Sequence, residues 1–211
     1  VINAPSSVNK QNYAGGITAL GQYIHGCTAQ SVTVSSSFYA AGIMAGTDVE
    51  GDTGDHIKIM FCSLKGTSYI QTSYSTAAIA TGGMMAFINK RLEYTISSCK
   101  VDEQVLVKSN RGSAGGILGA LQFPLGFNST LKLHVTACQS YASVTAYNES
   151  GGIVGCIKGS DAVLGNITAE GCVAAGSIKS TYTGGSNSVG GVIGEIQCSS
   201  VATTTSSPLI K

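Results

Sequence analysis

Tryptophan is absent from this chain of 211 residues, and proline occurs only three times. Charge is also scarce: charged residues make up 11%, with twelve Lys and Arg against eleven Asp and Glu, which gives a formal net charge of +1. Proteins that bind nucleic acids neutralise the phosphates with a basic surface. A nearly neutral chain lacks that surface, so we expect no nucleic-acid partner.

Long apolar runs are absent as well. None approaches the roughly 18 to 20 residues of a membrane-spanning helix, so we expect no membrane span. The chain starts at Val1, without a methionine or the apolar core of a signal peptide. We interpret it as a mature product or a fragment of a longer chain.

Glycine is abundant, with 28 residues, and the mean hydropathy is +0.23, which is unlike a disordered chain. Many of the glycines belong to a stretch that recurs six times, typified by the Ser-Gly-Gly-Ile-Val-Gly-Cys-Ile of residues 150–157. The second glycines of the copies lie 26 to 41 residues apart, at Gly16, Gly42, Gly83, Gly116, Gly152 and Gly191. Repeat periods of about 20 to 50 residues are typical of solenoids.

Five cysteines keep the same period, at spacings of 34 to 39 residues: Cys27, Cys62, Cys99, Cys138 and Cys172. Around each of them, short alternating segments rich in β-branched residues are separated by turn residues, a pattern that predicts strands. We therefore predict an all-β fold, a right-handed parallel β-helix of about five to six coils, each with roughly 36 residues and three short strands. A single domain would span residues 1–211, with a Ser/Thr-rich tail at residues 199–211.

A single coil of this kind cannot fold alone, because the entropy lost by ordering about 36 residues exceeds what its few buried aliphatic side chains contribute. Each coil needs neighbours above and below it. The sequence shows no amphipathic capping helix at either end. We therefore expect the ends to bind a second copy, in a fibre, or other domains.

Several segments of the C-terminal half resemble GLUG-type repeats: Gly151-Gly-Ile-Val-Gly155, the strand from Ile167 to Cys172, the strand from Gly176 to Ile178, and Val189-Gly-Gly-Val-Ile-Gly194. The resemblance is close from Ser113 to Ile196 and looser elsewhere, where Ala41-Gly-Ile-Met-Ala-Gly46 lacks the glycine pair. It implies a right-handed β-solenoid in secreted or cell-surface adhesin-like proteins. Glycans or cell-surface proteins would be its partners, and the repeat carries no catalytic residues.

The five periodic cysteines, which we call the cysteine ladder, are predicted to form an inward column of free, buried thiols. Cys156 and Cys198 lie outside the ladder on adjacent coils, and a disulfide between these two is an alternative. No Cys-x-x-Cys motif occurs, and His25, His56 and His134 fall in separate coils. The sequence therefore predicts no zinc site.

Four carboxylates fall within eight residues: Asp48, Glu50, Asp52 and Asp55. Alternating oxygen ligands with glycines are what a calcium loop requires. However, Thr53 stands where an EF-hand loop needs glycine, and Ile59 stands where it needs glutamate. We predict a solvated acidic turn and no cofactor, with calcium as the alternative.

The remaining carboxylates are scattered along the chain. A glycosidase needs two carboxylates that flank one bond, and Glu149 and Glu195 would share a face only by chance of the turn geometry. We therefore predict that the protein is not an enzyme, with a polysaccharide hydrolase or lyase as the alternative.

Tyrosines and one arginine recur nine to twelve residues after the ladder cysteines: Tyr39, Tyr74, Arg111, Tyr147 and Tyr182. Tyrosine is well suited to glycan or protein contact, because it buries a large area at a small cost in entropy. We interpret the row as an edge that binds a ligand or partner, and aromatic plugs in a loose turn are an equal alternative. This edge would be the groove of a carbohydrate-binding or polysaccharide-degrading β-helix, the alternative function.

Asn128, Asn148 and Asn166 each begin an Asn-x-Ser/Thr acceptor sequence for N-glycosylation. About two such sequences are expected by chance in this composition. The three asparagines are therefore candidate sites, which would carry sugar on surface turns of a secreted protein.

Overall fold

The computed structural model describes residues 1–4, 12–47, 56–73, 79–88, 93–122, 132–160, 167–183, 187–199 and 209–210. Within these ranges the chain is all β: it forms short strands of two to seven residues and no helix. No helix of the described part is long and apolar enough to span a membrane. The pairings between strands are parallel and link residues about one repeat apart, such as Ile59 with Ile96.

The strands stack into five sheets, which we name A to E. Sheet A contains β1 (Ile2–Ala4), β6 (Thr33–Ser36), β11 (Ser68–Thr72), β16 (Val105–Ser109), β21 (Ser143–Ala146) and β26 (Ile178–Ser180). Sheet B contains β2 (Tyr13–Gly15), β7 (Tyr39–Ala41), β12 (Ala80–Gly82), β17 (Ser113–Gly115), β22 (Ser150–Gly151) and β27 (Val189–Gly190). Sheet C contains β3 (Thr18–Leu20), β8 (Met44–Gly46), β13 (Met85–Ile88), β18 (Leu118–Gln122), β23 (Val154–Ser160) and β28 (Ile193–Ser199).

The other two sheets complete the turn. Sheet D contains β4 (Tyr23–His25), β9 (His56–Met60), β14 (Glu93–Ser97), β19 (Lys132–Thr136), β24 (Ile167–Glu170) and β29 (Leu209–Ile210). Sheet E contains β5 (Thr28–Gln30), β10 (Ser63–Lys65), β15 (Lys100–Val101), β20 (Gln139–Ser140) and β25 (Val173–Ala174). The chain passes through B, C, D, E and A in turn and then starts again, so it forms a parallel β-solenoid.

One turn of the solenoid has five strands, so the prediction of three strands per coil was wrong. The glycine stretch is bent at its glycine pair and contributes two strands, one to sheet B and one to sheet C. A Cβ atom at Gly82 or at Gly151 would overlap the carbonyl oxygen three residues later, of Met85 or Val154. In these turns the bend is therefore too tight for a side chain, whereas Ala41 occupies the equivalent position one turn before Gly82.

The core is a set of apolar columns that run along the solenoid, one residue from each turn. In one column, successive residues are linked through their backbones: Ile17, Ile43, Met84, Ile117, Ile153 and Val192. The four inner members are completely buried, whereas Ile17 and Val192 at the two ends are 43% and 38% exposed. Stacking against a turn on both sides is what buries each residue of the column.

The connections from sheet C to sheet D differ in length from turn to turn. Two residues separate Leu20 from Tyr23, and nine separate Gly46 from His56. The register of the flanking strands does not change with these lengths, since Ile24 pairs with Ile59 and Met44 with Met85. The framework of the solenoid is thus independent of this corner.

Candidate functional site

Two glutamates and a lysine meet on the outer side of sheets B and C. Lys158 Nζ lies 2.8 Å from Glu149 Oε1 and 3.4 Å from Glu195 Oε2. Ser113 Oγ donates a hydrogen bond of 2.7 Å to Glu149 Oε2. The thiol of Cys156 lies beside them, and we call these five residues the lysine–carboxylate cluster.

The strand register brings the cluster together. Cys156 and Lys158 are two residues apart on β23, so their side chains leave the same face of the strand. Glu195 on β28 is the neighbour of Cys156 in the next turn. The sequence left it to the turn geometry whether Glu149 and Glu195 share a face, and in the structure both lie beside Lys158. Aligning the glycine copies gives the signal, because Cys156 and Glu195 both directly follow the third glycine of their copy.

The charges of the cluster stabilise one another. Burial raises the pKa of Glu149, but hydrogen bonds from Lys158 and then Ser113 outweigh it, and the pKa lies below its ordinary value. Burial lowers the pKa of Lys158, but Glu149 together with the charges of Cys156 and Glu195 raises it above its ordinary value. Burial raises the pKa of the Cys156 thiol to about 12. The cluster is thus a paired ionic group with an unreactive thiol.

Among the described residues, Glu149, Cys156 and Glu195 form a group whose ligand atoms lie within 4.8 Å of one another. Such a group could hold a metal ion by its composition. Here the ammonium group of Lys158 already lies between the two carboxylates. The lysine balances one of the two carboxylate charges and occupies the space between them, and Glu149 is only 7% exposed.

Three residues of the predicted tyrosine edge lie next to one another. The guanidinium of Arg111 lies 4.7 Å from the ring centroid of Tyr147, and the rings of Tyr147 and Tyr182 are 4.8 Å apart. The backbone of Tyr182 donates to the carbonyl of Tyr147 at 3.0 Å. We call this row of exposed Arg111 and half-buried Tyr147 and Tyr182 the Arg–Tyr ladder.

Tyr39 does not belong to that edge. It begins β7 in sheet B and is buried between Tyr13 and Phe87, at ring distances of 4.9 and 4.4 Å. Burial and the neighbouring Tyr13 raise its pKa. Tyr39 and Arg111 each lie twelve residues after a ladder cysteine, but they do not occupy equivalent positions in the sheets. Tyr39 is equivalent to Ser113, two residues beyond Arg111. Tyr74, the fifth residue of the row, lies outside the described residues.

The cysteine ladder follows a backbone feature that recurs in every turn. The residue before each ladder cysteine has a left-handed backbone with φ between 52° and 66°: Gly26, Phe61, Ser98, Ala137 and Gly171. This conformation turns the chain from sheet D into sheet E. The thiol then donates to the carbonyl two residues earlier, for example from Cys99 to Ser97 at 3.2 Å.

The ladder cysteines are free and lie in register. The amide after one cysteine donates to the carbonyl of the cysteine in the preceding turn, as from Lys100 to Cys62 at 2.9 Å. Cys62, Cys99 and Cys138 are buried, whereas the terminal Cys27 and Cys172 are half-buried. Hydrogen bonds to neighbouring thiols, and then burial, raise the pKa of Cys62 and Cys138.

The alternative disulfide between Cys156 and Cys198 is not formed. Cys156 is a free thiol and pairs with Glu195, whereas the backbone of Cys198 pairs with Gly159. The two cysteines are therefore three residues out of register, or about 10 Å along the strand, too far for a disulfide.

Several predicted residues cannot be placed. The acidic turn (Asp48, Glu50, Asp52 and Asp55) and two glycosylation candidates (Asn128 and Asn166) lie outside the described residues. Asn148 is half-buried beside the Arg–Tyr ladder, where its Nδ2 group donates to the carbonyl of Arg111 at 3.4 Å.

A polar groove of about 450 Å³, which the sequence did not reveal, lies at the corner between sheets E and A. Its walls are polar side chains and one aromatic ring: Lys100, Asp102, Glu103, Gln104 and Tyr141. Lys100 Nζ lies 3.2 Å from Asp102 Oδ1 and 5.6 Å from the ring centroid of Tyr141. The groove thus offers hydrogen-bonding groups and an aromatic face within one shallow depression.

No protein-family model matches the chain, and no curated protein matches it either. Among solved structures, the chain is similar to the crystal structure of a Bacteroides ovatus protein named "putative immunoglobulin A1 protease". The TM-score is 0.55 at 12% sequence identity, and the match covers 93% of this chain and 66% of that chain. At this identity the likeness shows the fold alone, an all-β parallel β-solenoid.

Proposed function

We propose that this chain is a structural and adhesive module of a secreted or cell-surface protein, and that it associates through the ends of its solenoid. The observation that carries the proposal is the exposure of Ile17 and Val192, the two terminal members of a column whose inner members are completely buried. Among the described residues, each end presents an apolar residue beside a terminal strand of sheet C, β3 or β28, which pairs with a strand on one side only.

The two ends match each other. In register, Val192 of one copy would lie against Ile17 of the next, as Ile153 lies against Val192 within one chain. Both residues would then be buried, and the parallel sheets would continue across the junction. Association of this kind repeats the contact that already joins the turns, so it requires no new interface chemistry.

The test replaces the end residues with charged ones. Ile17→Lys and Val192→Lys should each reduce end-to-end association, which light scattering and electron micrographs of the native protein would show as shorter assemblies. Tyr69→Lys is the matched control, because Tyr69 is 48% exposed on the side of the solenoid. A wild-type protein that stays monomeric at all concentrations contradicts the fibre form of the proposal.

The second candidate function is carbohydrate binding, or less directly polysaccharide degradation. It is supported by the polar groove with Tyr141 and by the Arg–Tyr ladder, since aromatic faces beside hydrogen-bonding groups suit sugar rings. A glycan array tests it. Loss of binding in Tyr141→Ala assigns the groove, loss in Tyr147→Ala with Tyr182→Ala assigns the ladder, and release of products identifies an enzyme.

The finer features of the prediction belong to this proposal. They are the right-handed sense, the five to six coils, the GLUG-type character of the repeat, the glycosylation of asparagines and the lack of a cofactor, with calcium in the acidic turn as the alternative. The chirality of parallel crossovers supports the handedness, and the five or six strands of each sheet support the number of coils. The neighbour's name supports no proteolytic role, because at 12% sequence identity the likeness concerns the fold alone.

A further inference from the structure

We propose that neighbouring thiols of the cysteine ladder form two-coordinate sites for a soft monovalent ion such as Cu(I) or Ag(I). The ladder consists of Cys27, Cys62, Cys99, Cys138 and Cys172, one from each of five successive turns. This proposal does not depend on association of the solenoid ends or on the polar groove described above.

The first argument is the spacing of the sulfur atoms. In-register neighbours in parallel strands lie about 4.8 Å apart, because that is the distance between strands. An ion midway between two such sulfurs would be about 2.4 Å from each, close to the roughly 2.3 Å of a metal–thiolate bond. Soft thiolates favour Cu(I), and a linear arrangement needs only the two ligands that the column supplies.

The same spacing opposes a disulfide. A disulfide needs Cβ atoms about 3.8 Å apart, whereas side chains that leave neighbouring parallel strands in the same direction stay about 4.8 Å apart. The thiols of the ladder are all free in the structure. A geometry too wide for a sulfur–sulfur bond thus suits a sulfur–metal–sulfur bridge.

The second argument is preorganisation. The left-handed residue before each cysteine fixes the direction of the side chain in the same way in every turn. The carbonyl groups of Met60 and Ser97 hold the Cys62 and Cys99 thiols at 3.3 and 3.2 Å. The ion would therefore meet ligands that are already aligned, and little ordering would be lost on binding.

The column also defines which ions it rejects. Zinc takes four ligands in a tetrahedron, and among the described residues the ladder offers each ion two sulfurs in line. Binding of one monovalent ion by two thiols releases two protons and leaves a bridge with one negative charge. The half-buried Cys27 and Cys172 at the ends give an ion access from solvent.

The experiment compares two double variants that keep the same number of ladder thiols. Cys62→Ala with Cys138→Ala leaves three thiols, none of which has a ladder neighbour. Cys27→Ala with Cys172→Ala also leaves three thiols, and these remain adjacent. Silver nitrate is the probe, added to reduced protein without chloride, and native mass spectrometry counts the bound ions and the protons lost.

We expect the wild type and the Cys27/Cys172 variant to bind silver, and each should lose two protons when the first ion binds. The Cys62/Cys138 variant should bind silver at least about 100-fold more weakly. Loss of a group that only orients a metal ligand already lowers affinity by up to about 100-fold, and here a ligand itself is lost. Cys156→Ala and Cys198→Ala, outside the ladder, should change nothing. Equal affinity in the two double variants, or zinc bound as tightly as silver, overturns the proposal.

Folding is checked by circular dichroism for each variant. If the Cys62/Cys138 variant does not fold, the wild type and the Cys27/Cys172 variant still decide, because the mass spectrum of each must show two protons lost when the first silver ion binds. Loss of one proton, or no silver bound to the Cys27/Cys172 variant, contradicts the bridge.

Discussion

The guanidinium of Arg111 lies over the ring of Tyr147, at 4.7 Å from its centroid, although the two residues are 36 positions apart. The contact joins two turns of the solenoid on its outer surface. The Tyr182 ring extends the row by one more turn, at 4.8 Å from Tyr147.

A double-mutant cycle should detect this contact. Arg111→Ala and Tyr147→Leu should show a coupling energy of about 0.5 to 1 kcal/mol in chemical unfolding, the size of an exposed cation–π contact. The pair Arg111→Ala and Tyr69→Leu is the control and should show no coupling, because the structure places no contact between these residues. Additivity at Arg111 and Tyr147 would show that the contact does not contribute to stability.

Glu149→Gln should lower stability by about 1 to 3 kcal/mol near neutral pH, since it leaves a half-buried lysine with a weaker partner. The measurement is urea unfolding monitored by circular dichroism. Glu93→Gln is the matched control, because the half-exposed Glu93 pairs with Lys132 at 3.5 Å and such surface pairs contribute less than about 1 kcal/mol. Equal effects of the two substitutions would contradict the importance of burial.

The same cluster predicts a pH dependence. The folded pKa of Glu149 lies below its ordinary 4.5, so its stabilisation is complete above pH 4.5 and is lost as the pH falls through the folded pKa. Lys158 has a folded pKa above its ordinary 10.5, so its stabilisation is complete below pH 10.5 and is lost as the pH rises through the folded pKa. Glu149→Gln should therefore flatten the acid side of the stability profile, and an unchanged acid side would argue against the pairing.

Gly151→Ala should destabilise the protein by about 1 to 3 kcal/mol, because the new Cβ would overlap the carbonyl of Val154 at the bend between sheets B and C and the backbone must shift. Gly191→Ala, at the bend of the last turn, meets no atom within 4 Å and should change stability by less than about 0.5 kcal/mol. Thermal unfolding distinguishes them, and similar melting temperatures would show that the bend relaxes.

The thiols should differ in reactivity. A hydrogen bond from Cys138 lowers the pKa of Cys172 to about 7, against the opposing effect of burial, whereas burial raises the pKa of Cys156 to about 12. Alkylation of Cys172 by iodoacetamide should rise as the pH passes 7 and then level off, while Cys156 stays unmodified. Peptide mapping by mass spectrometry gives both rates in one sample, and equal rates would refute the difference.

The repeat along the solenoid could be predicted from the sequence. The arrangement of strands within one turn could not. The glycine copies and the cysteines repeat at one residue per turn, so their period gives the parallel β-solenoid directly. Two strands per turn were missed. The bend at two glycines leaves no gap in the apolar pattern between sheets B and C, and the strands of sheet E, with two or three residues, are too short to show a pattern.

The sequence predicted a contact correctly where the distance from the ladder cysteine matched the position of the residue in the sheets. Arg111 and Tyr147 occupy equivalent positions, and counting from the cysteines brought them together in spite of differing offsets. Tyr39 has the same offset as Arg111 but a different position on the strand, because the connecting segments between the turns differ in length. Glu149 and Glu195 have different offsets from the ladder cysteines, so the cysteine count does not bring them together. The glycine copies place Glu195 beside Cys156, as the pairing of β23 with β28 does.

The variable connections between sheets C and D have a consequence for how such a chain can change over generations. Insertions and deletions at that corner leave every ladder of the framework in place, so they cost little stability while they alter one side of the rod. Natural variants should therefore diversify at this corner in length as well as in sequence. A foreign peptide epitope grafted there would be displayed on a scaffold that does not need to adapt to it.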